Sequence, residues 1–296
     1  MILQGDIWLR ALRIDRLAKE KRTRLTRRHL QDSLEVTQAE AQHLLWALKN
    51  QETIQCPETV FETQKKVTVM ADIHFPYPHK PSLSVALGRA EERKPDLIII
   101  LGDLIDFYKI SKFNKRPTER RPYEEMMEAR AFLEDLRSRF PDAQIIYKEG
   151  NHEERLDRYV SDKAPDVYEL FVGAFEREMK LKELKIAYVR TRFRIGKLWL
   201  LHGHETPAKS PKYICNTMYQ YIGDHFLVAH FHREDHKEFK NIRDEYYWGG
   251  AASCLCKDME YAPLNQWTRG FTEIDFDRDG RFRAHNYKIV KGEIYT

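Results

Sequence analysis

Residues 97–106 read Leu97-Ile98-Ile99-Ile100-Leu101-Gly102-Asp103-Leu104-Ile105-Asp106. The aliphatic run at its head predicts a strand buried on both faces, which requires a covering layer on each side. Two carboxylates follow directly after the run. Acids delivered to the C-terminal end of such a strand lie where open α/β sheets place their ligands.

The surrounding sequence repeats this arrangement. Val67-Thr68-Val69-Met70-Ala71 alternates as a strand, and Ala143–Tyr147 predicts another. Ser82–Arg93 and Tyr123–Arg139 between them read as helices. Strands alternating with helices mean a layered α/β domain. Further along the pattern changes to hairpins, one turning at Gly196-Lys197 and one at Asp279-Gly280. There is no internal repeat and no low-complexity tract.

The 296 residues are 42% hydrophobic and 32% charged, enough apolar content for a core, which excludes a disordered chain. No apolar run approaches the roughly 20 residues of a membrane span, and the N-terminus lacks a signal-peptide pattern. A cytoplasmic protein with no membrane partner is expected. Four cysteines are too few for a disulfide scaffold and read as reduced thiols. Cys254-x-Cys256 reads as part of a buried strand, since half a metal site would need a second half elsewhere.

The net charge of +4 is unevenly placed. Residues 1–50 carry ten Lys/Arg and six Asp/Glu, a net of +4, so the rest of the chain is neutral. This segment predicts helices over 8–22, 26–34 and 38–49, the last with Thr37 and Glu40 at capping-box spacing. Helix, short turn and capped helix resemble a helix-turn-helix unit, although Glu35 stands where the turn usually carries glycine. The expected division is a small all-helical unit at 1–55, a linker, and a catalytic domain at 66–296. A basic helical segment of this kind suits a nucleic-acid partner; a solvated helix face or a dimerising bundle is the plainer alternative.

Five short segments concentrate the chemistry: Asp72-Ile73-His74, Gly102-Asp103-Leu104-Ile105-Asp106, Gly150-Asn151-His152-Glu153, His202-Gly203-His204 and His230-Phe231-His232. They hold six of the 12 histidines, and each follows an apolar strand. One such segment alone would be weak; five at strand ends make a metal-site pattern. Their order resembles that of the calcineurin-like metallophosphoesterase superfamily, with Ala229 where the family's last motif has glycine. The resemblance implies an α/β fold of two facing mixed β-sheets flanked by helices.

Hydrolysis of a phosphate ester needs a nucleophile at neutral pH and neutralisation of phosphoryl charge, which two divalent ions supply together. The resemblance assigns Asp103 as the carboxylate bridging two ions. It gives Asp72, His74 and His232 to the first ion, and Asn151, His202 and His230 to the second. Mixed nitrogen and oxygen ligands suit manganese, the ion expected here, and also iron, zinc or nickel. His230 and His232, if extended, would point the same way. The resemblance makes His152 a proton donor to the leaving oxygen, held in its tautomer by Asp106 one helical turn beyond Asp103. A helix N-cap is the alternative for Asp106. His204 is expected to contact substrate or support a ligand, and Glu153 and Arg155 to steady their loop.

Three functions compete: a phosphodiesterase or nuclease acting on nucleic acid, a protein Ser/Thr phosphatase, and a non-catalytic nucleic-acid-binding protein. Protein phosphatases of this superfamily follow the second aspartate with Arg-Gly, whereas Asp106 is followed by Phe107 and Tyr108. A decayed site would have lost a ligand, and this one has the full set. Lys109, Lys112, Lys115 and Arg116 follow Asp106 with aromatics among them, the composition of a surface that holds a phosphate backbone and stacks bases. Hydrolysis of nucleic acid is therefore the expected activity.

Overall fold

The computed structural model describes residues 65–111, 121–171, 173–207, 211–259, 262 and 265–295. The chain divides into two units, Met1–Gln55 and Cys56–Thr296, and the described residues all belong to the second. The helix-turn-helix-like segment, Cys56, and Lys112, Lys115 and Arg116 lie outside the described residues.

Two mixed sheets face each other, as expected. The larger has the order β12-β11-β10-β1-β2-β3-β4. Its parallel half is β1 (Lys65–Met70), β2 (Leu97–Leu101), β3 (Gln144–Lys148) and β4 (Ile186–Val189). β10 (Gly270–Phe276), β11 (Phe282–Val290) and β12 (Glu293–Tyr295) extend it as an antiparallel meander. The smaller sheet runs β5 (Phe193–Ile195), β6 (Leu198–Leu200), β7 (Phe226–Val228), β9 (Tyr246–Ala251) and β8 (Asp235–Lys240). In it β6, β7 and β9 are parallel.

Side-chain alternation along β1 and β2 builds two cores from one sheet. Val67, Val69, Leu97, Ile99 and Leu101 pack with Leu198, Leu200 and Leu227 of the smaller sheet. Met70, Ile98 and Ile100 face the other way, onto helices α1 (Lys80–Arg93) and α2 (Pro122–Arg139). All five side chains of β2 are buried, each stabilising the fold by about 1.5–3 kcal/mol relative to exposure. On the outer face of the smaller sheet, helix α6 (Ile214–Ile222) buries Ile214 and Met218 against Phe226 and Val228. Helices α3 (Glu154–Lys163), α4 (Tyr168–Phe171) and α5 (Ala174–Glu178) lie between β3 and β4 in the chain.

Cys254 and Cys256 make isolated bridges to Arg269 and Pro78, so the strand expected there is two single pairings. Both thiols are free and buried. No helix among the described residues is long and apolar enough to cross a membrane.

Candidate metal centre

The five segments leave the C-terminal ends of β1, β2, β3, β6 and β7. The first three strands are parallel neighbours in one sheet and the last two in the other. Two facing sheets therefore deliver their loops to one edge. Asp72, His74, Asp103 and His232 bring ligand atoms within 4.8 Å of one another, and Asp103, His202 and His230 form a second such group. Asp103 belongs to both.

The backbone there is bent to aim these side chains. Asp72, His74, Asp103, His230 and His232 have φ between 51° and 69°, a left-handed region that Asp and His occupy more readily than most residues. His230 and His232 are consequently not extended, so the alternation conditional on extension does not apply to them. They reach separate ligand groups by turning at each residue. Ala229 is not among the left-handed residues; its methyl packs in the core between the sheets, so glycine is not required. Gly102 and Gly150 are required. A side chain on Gly102 would sit 2.2 Å from His202 Nδ1, and one on Gly150 2.2 Å from Asp103 Oδ1.

Three histidines are oriented by bonds through Nδ1 or near it. His202 Nδ1 donates to the Leu101 carbonyl at 2.8 Å, His74 Nδ1 lies 3.0 Å from Asp106 Oδ1, and His232 Nδ1 lies 3.8 Å from Cys256 Sγ. Each turns Nε2 inward, the arrangement that fixes the tautomer of a metal-binding imidazole. His202 Nε2 is 3.1 Å from Asp103 Oδ2, His232 Nε2 3.2 Å from Asp72 Oδ1, and Asp72 Oδ1 3.9 Å from His202 Nε2. Buried Asp72 Oδ1, Asn151 Oδ1 and His202 Nε2 have no hydrogen-bond partner. Orphaned buried polar atoms are costly, and two oxygens with an imidazole nitrogen are a donor set that a cation would take up once it displaces the nitrogen's proton.

Electrostatics bind the cluster together. Burial opposes ionisation of Asp72 and Asp103, and the imidazoles override it. His232 holds the Asp72 carboxyl below its ordinary value, while His152 and His202 hold Asp103 well below. Burial likewise opposes protonation of His202 and His232, yet these carboxylates raise them to about 10 and about 9. His230 is pushed down to about 4 by burial and by the cation at His202.

Asp106 is not on a helical turn, nor is it a helix N-cap. Residues 103–106 are non-helical, held by a bridge between Ile105 and Phe75. The Asp106 carboxylate stands between His74 and His152, whose Nδ1 is 3.2 Å away, and its carbonyl accepts from that Nδ1 at 2.7 Å. Arg155 donates to the Asp106 carbonyl and to His152 Nε2, both at 2.7 Å. His204 belongs to neither ligand group. It pairs with Glu154 at 2.8 Å. Lys109 is exposed on the turn Tyr108–Ile110.

The sequence reading missed Glu205 and Lys148. Glu205 accepts the His202 and Gly203 amides and lies 3.0 Å from buried Lys148 Nζ, which anchors the His202 loop to β3. The buried Lys148 at the end of an apolar strand was the available signal, because a fully buried lysine needs a partner.

A layered α/β domain whose parallel strand ends bring carboxylates and imidazoles together has the architecture of a metal-dependent hydrolase. Residues 65–269 match the calcineurin-like phosphoesterase family (Metallophos), and the chain belongs to it. It is a phosphoester-hydrolysing enzyme of a family that typically uses two divalent metals. The Gene 54 proteins of Mycobacterium phages L5 and D29 are 26% and 25% identical to it over 181 and 180 residues, covering 57% of this chain and 70% of each relative. Among solved structures it is similar to vacuolar protein sorting 29 from Cryptosporidium parvum, at 13% identity and a TM-score of 0.43, covering 79% of this chain and 96% of that one. It is also similar to a dimetal phosphatase from Danio rerio, at 9% identity and a TM-score of 0.37, covering 76% and 96% of the two chains.

Proposed function

We propose that this enzyme hydrolyses phosphodiester bonds in nucleic acid with two divalent ions, manganese by preference. The observation that carries the dinuclear reading is the sharing of Asp103 between two ligand groups. Asp72, His74, Asp103 and His232 would hold one ion, and Asp103, Asn151, His202 and His230 the other. When bound, two such ions supply an activated water and neutralise charge on the phosphoryl oxygens. His152, whose Nε2 lies 3.7 Å from Asp103 Oδ2, would deliver the proton to the leaving oxygen, and Asp106 positions it.

The diester preference draws on the residue after Asp106. Phe107 is fully buried, in ring contact with Phe175, so this position packs the core instead of presenting a cation to a phosphate monoester. The basic stretch from Lys109 and the basic segment 1–55 supply the charge for a polyanionic substrate.

The test is Asp103→Asn with metal analysis, alongside the wild-type protein on an aryl monoester, an aryl diester, DNA, RNA and a phosphopeptide. The variant should bind fewer than two ions and lose about 10³-fold or more in activity, the scale of several kcal/mol of transition-state stabilisation. Two retained ions with full activity would remove Asp103 from its role. A phosphopeptide hydrolysed in preference to every diester would install the protein-phosphatase reading. Removing residues 1–55 should weaken nucleic-acid binding and flatten its salt dependence.

A further inference from the structure

Beside the ligand cluster a cavity of about 430 Å³ opens, lined by His152, His230 and His232 together with Arg233 and Trp267. The volume is within the range of small-molecule sites. Trp267 is half-buried, with its ring centroid 4.1 Å from that of His232 at 66°, and it packs on Cys254, Cys256 and Met259. Its position is fixed from below. Asn265 Oδ1 accepts the Trp267 amide at 3.0 Å, and the next residue, Thr268, donates its amide to the His232 carbonyl at 2.8 Å. The indole is thus tied to the loop that carries a candidate metal ligand.

Arg233 has a different character. Its guanidinium donates to the Pro211 carbonyl at 2.5 Å and to Gln266 Oε1 at 3.3 Å, both neutral acceptors. Among the described residues no carboxylate pairs with it within 4.0 Å. An arginine held in place by neutral groups keeps its full charge for an anion, and its planar fork suits phosphate oxygens. A rigid indole and a guanidinium with no carboxylate partner among the described residues, in one cavity at the rim of the proposed metal centre, call for a ligand with an aromatic plane and a phosphate.

We infer that this cavity is the nucleotide subsite of the enzyme: Trp267 stacks the base next to the bond to be cut, and Arg233 binds an anionic phosphate oxygen. The inference rests on the diesterase reading above and assigns its specificity to two residues outside the ligand set. Stacking recognises any base, so the subsite selects nucleotides over simple alkyl diesters without reading sequence.

The experiment compares two diesters with the same leaving group, thymidine p-nitrophenyl phosphate and ethyl p-nitrophenyl phosphate, on the metal-loaded full chain. The ratio of their kcat/KM values isolates the nucleoside. Trp267→Ala should lower that ratio roughly 10- to 100-fold, the range for loss of one base stack, and Trp267→Phe should retain most of it. Arg233→Ala should raise KM for both diesters, with partial recovery in Arg233→Lys. A second readout needs no turnover. Thymidine monophosphate should quench indole fluorescence in the wild type, and Trp267→Phe should lose that component. An unchanged ratio in Trp267→Ala, or an equal loss on both diesters, overturns the subsite. If the wild type cuts neither diester but the quench is present and lost in Trp267→Phe, the diesterase reading fails and the nucleotide site stands. If the quench is absent or survives in Trp267→Phe, the site itself fails.

Discussion

The Glu153 carboxylate accepts the backbone amide of Asp103 at 3.0 Å. The same group accepts the Gly150 amide at 2.8 Å, the Ile105 amide at 3.1 Å and the Tyr147 hydroxyl at 2.7 Å. One buried side chain thereby fixes the loops after β2 and β3, which carry Asp103 and Asn151. Glu153→Ala leaves three amides and a hydroxyl without their acceptor, at about 1–3 kcal/mol for each buried group that finds no water. We expect a loss of about 3–5 kcal/mol in denaturant unfolding, with Glu153→Gln losing about half as much because one acceptor oxygen remains. A change under about 1 kcal/mol in the alanine variant would show that the loops hold themselves.

Metal association should release protons. In the metal-free protein His202 and His232 stay protonated up to about pH 10 and 9, whereas His230 is already neutral above about pH 4. A cation arriving at pH 7 must displace the first two protons, so affinity climbs with pH by up to tenfold per unit for each proton. Calorimetry in buffers of different ionisation enthalpy should count about two protons at pH 7. The metal-free fold follows the same linkage. Both imidazoles sit above their ordinary 6.5, so their contribution is complete below pH 6.5 and disappears as pH rises through 9–10.

Glu149 carries the opposite liability. Burial raises its carboxyl to about 8, against the pull of Arg190 and Lys148, and its Oε1 accepts from Tyr188 at 2.9 Å. Its folded value exceeds the ordinary 4.5, so its favourable contribution is complete below pH 4.5 and lost as pH rises through 8. Glu149→Gln removes that dependence and can still accept from Tyr188. Relative to wild type, the variant should gain stability between pH 4.5 and 8 and level off above, by about 2–4 kcal/mol. Unfolding at pH 5 and pH 9 measures the difference. An equal offset at both would place the ionised carboxylate in the folded state.

Much of this was legible because it is local. The alternation of Val67–Met70, the aliphatic run of β2 and the turns at Gly196 and Gly280 each declare their element within a few residues. The five ligand segments stood out because each follows an apolar strand. What stayed hidden depends on through-space pairing. β10 inserts beside β1, with Val67 opposite Ile274, and nothing near either residue encodes that choice. Glu153 was expected to steady its own loop, but its hold on the loop after β2 runs through the backbone amides of Asp103 and Ile105, which have no residue type to recognise. The left-handed turns at His230 and His232 are permitted to histidine without being dictated by it, so residue type alone left their conformation open. Helix α6 covers the smaller sheet with an Ile/Met face too short for its period to dominate its flanks.

His152 is held at both nitrogens, and this sets the last prediction. Nδ1 donates to the Asp106 carbonyl at 2.7 Å, and Nε2 accepts from Arg155 at 2.7 Å. In this arrangement the imidazole is neutral, and burial lowers its pKa further, with Arg155 adding to the effect and Asp103 and Asp106 opposing it. If His152 protonates the leaving oxygen, Nε2 must exchange Arg155 for that proton, and the acid form is lost as pH rises through its pKa. His152→Ala should slow a poor leaving group, such as a nucleotide alkoxide, by about 10²–10⁴-fold. An activated aryl ester, which needs no proton, should slow far less. Arg155→Ala removes a nearby cation, so the alkaline limb of kcat/KM against pH for the poor leaving group should move to higher pH. That limb should vanish in His152→Ala. Equal losses of both substrates in His152→Ala, with an unmoved limb in Arg155→Ala, would reduce His152 to a structural tie between the loops after β3 and β2, made by its backbone amide to Asp103 and its Nδ1 to Asp106.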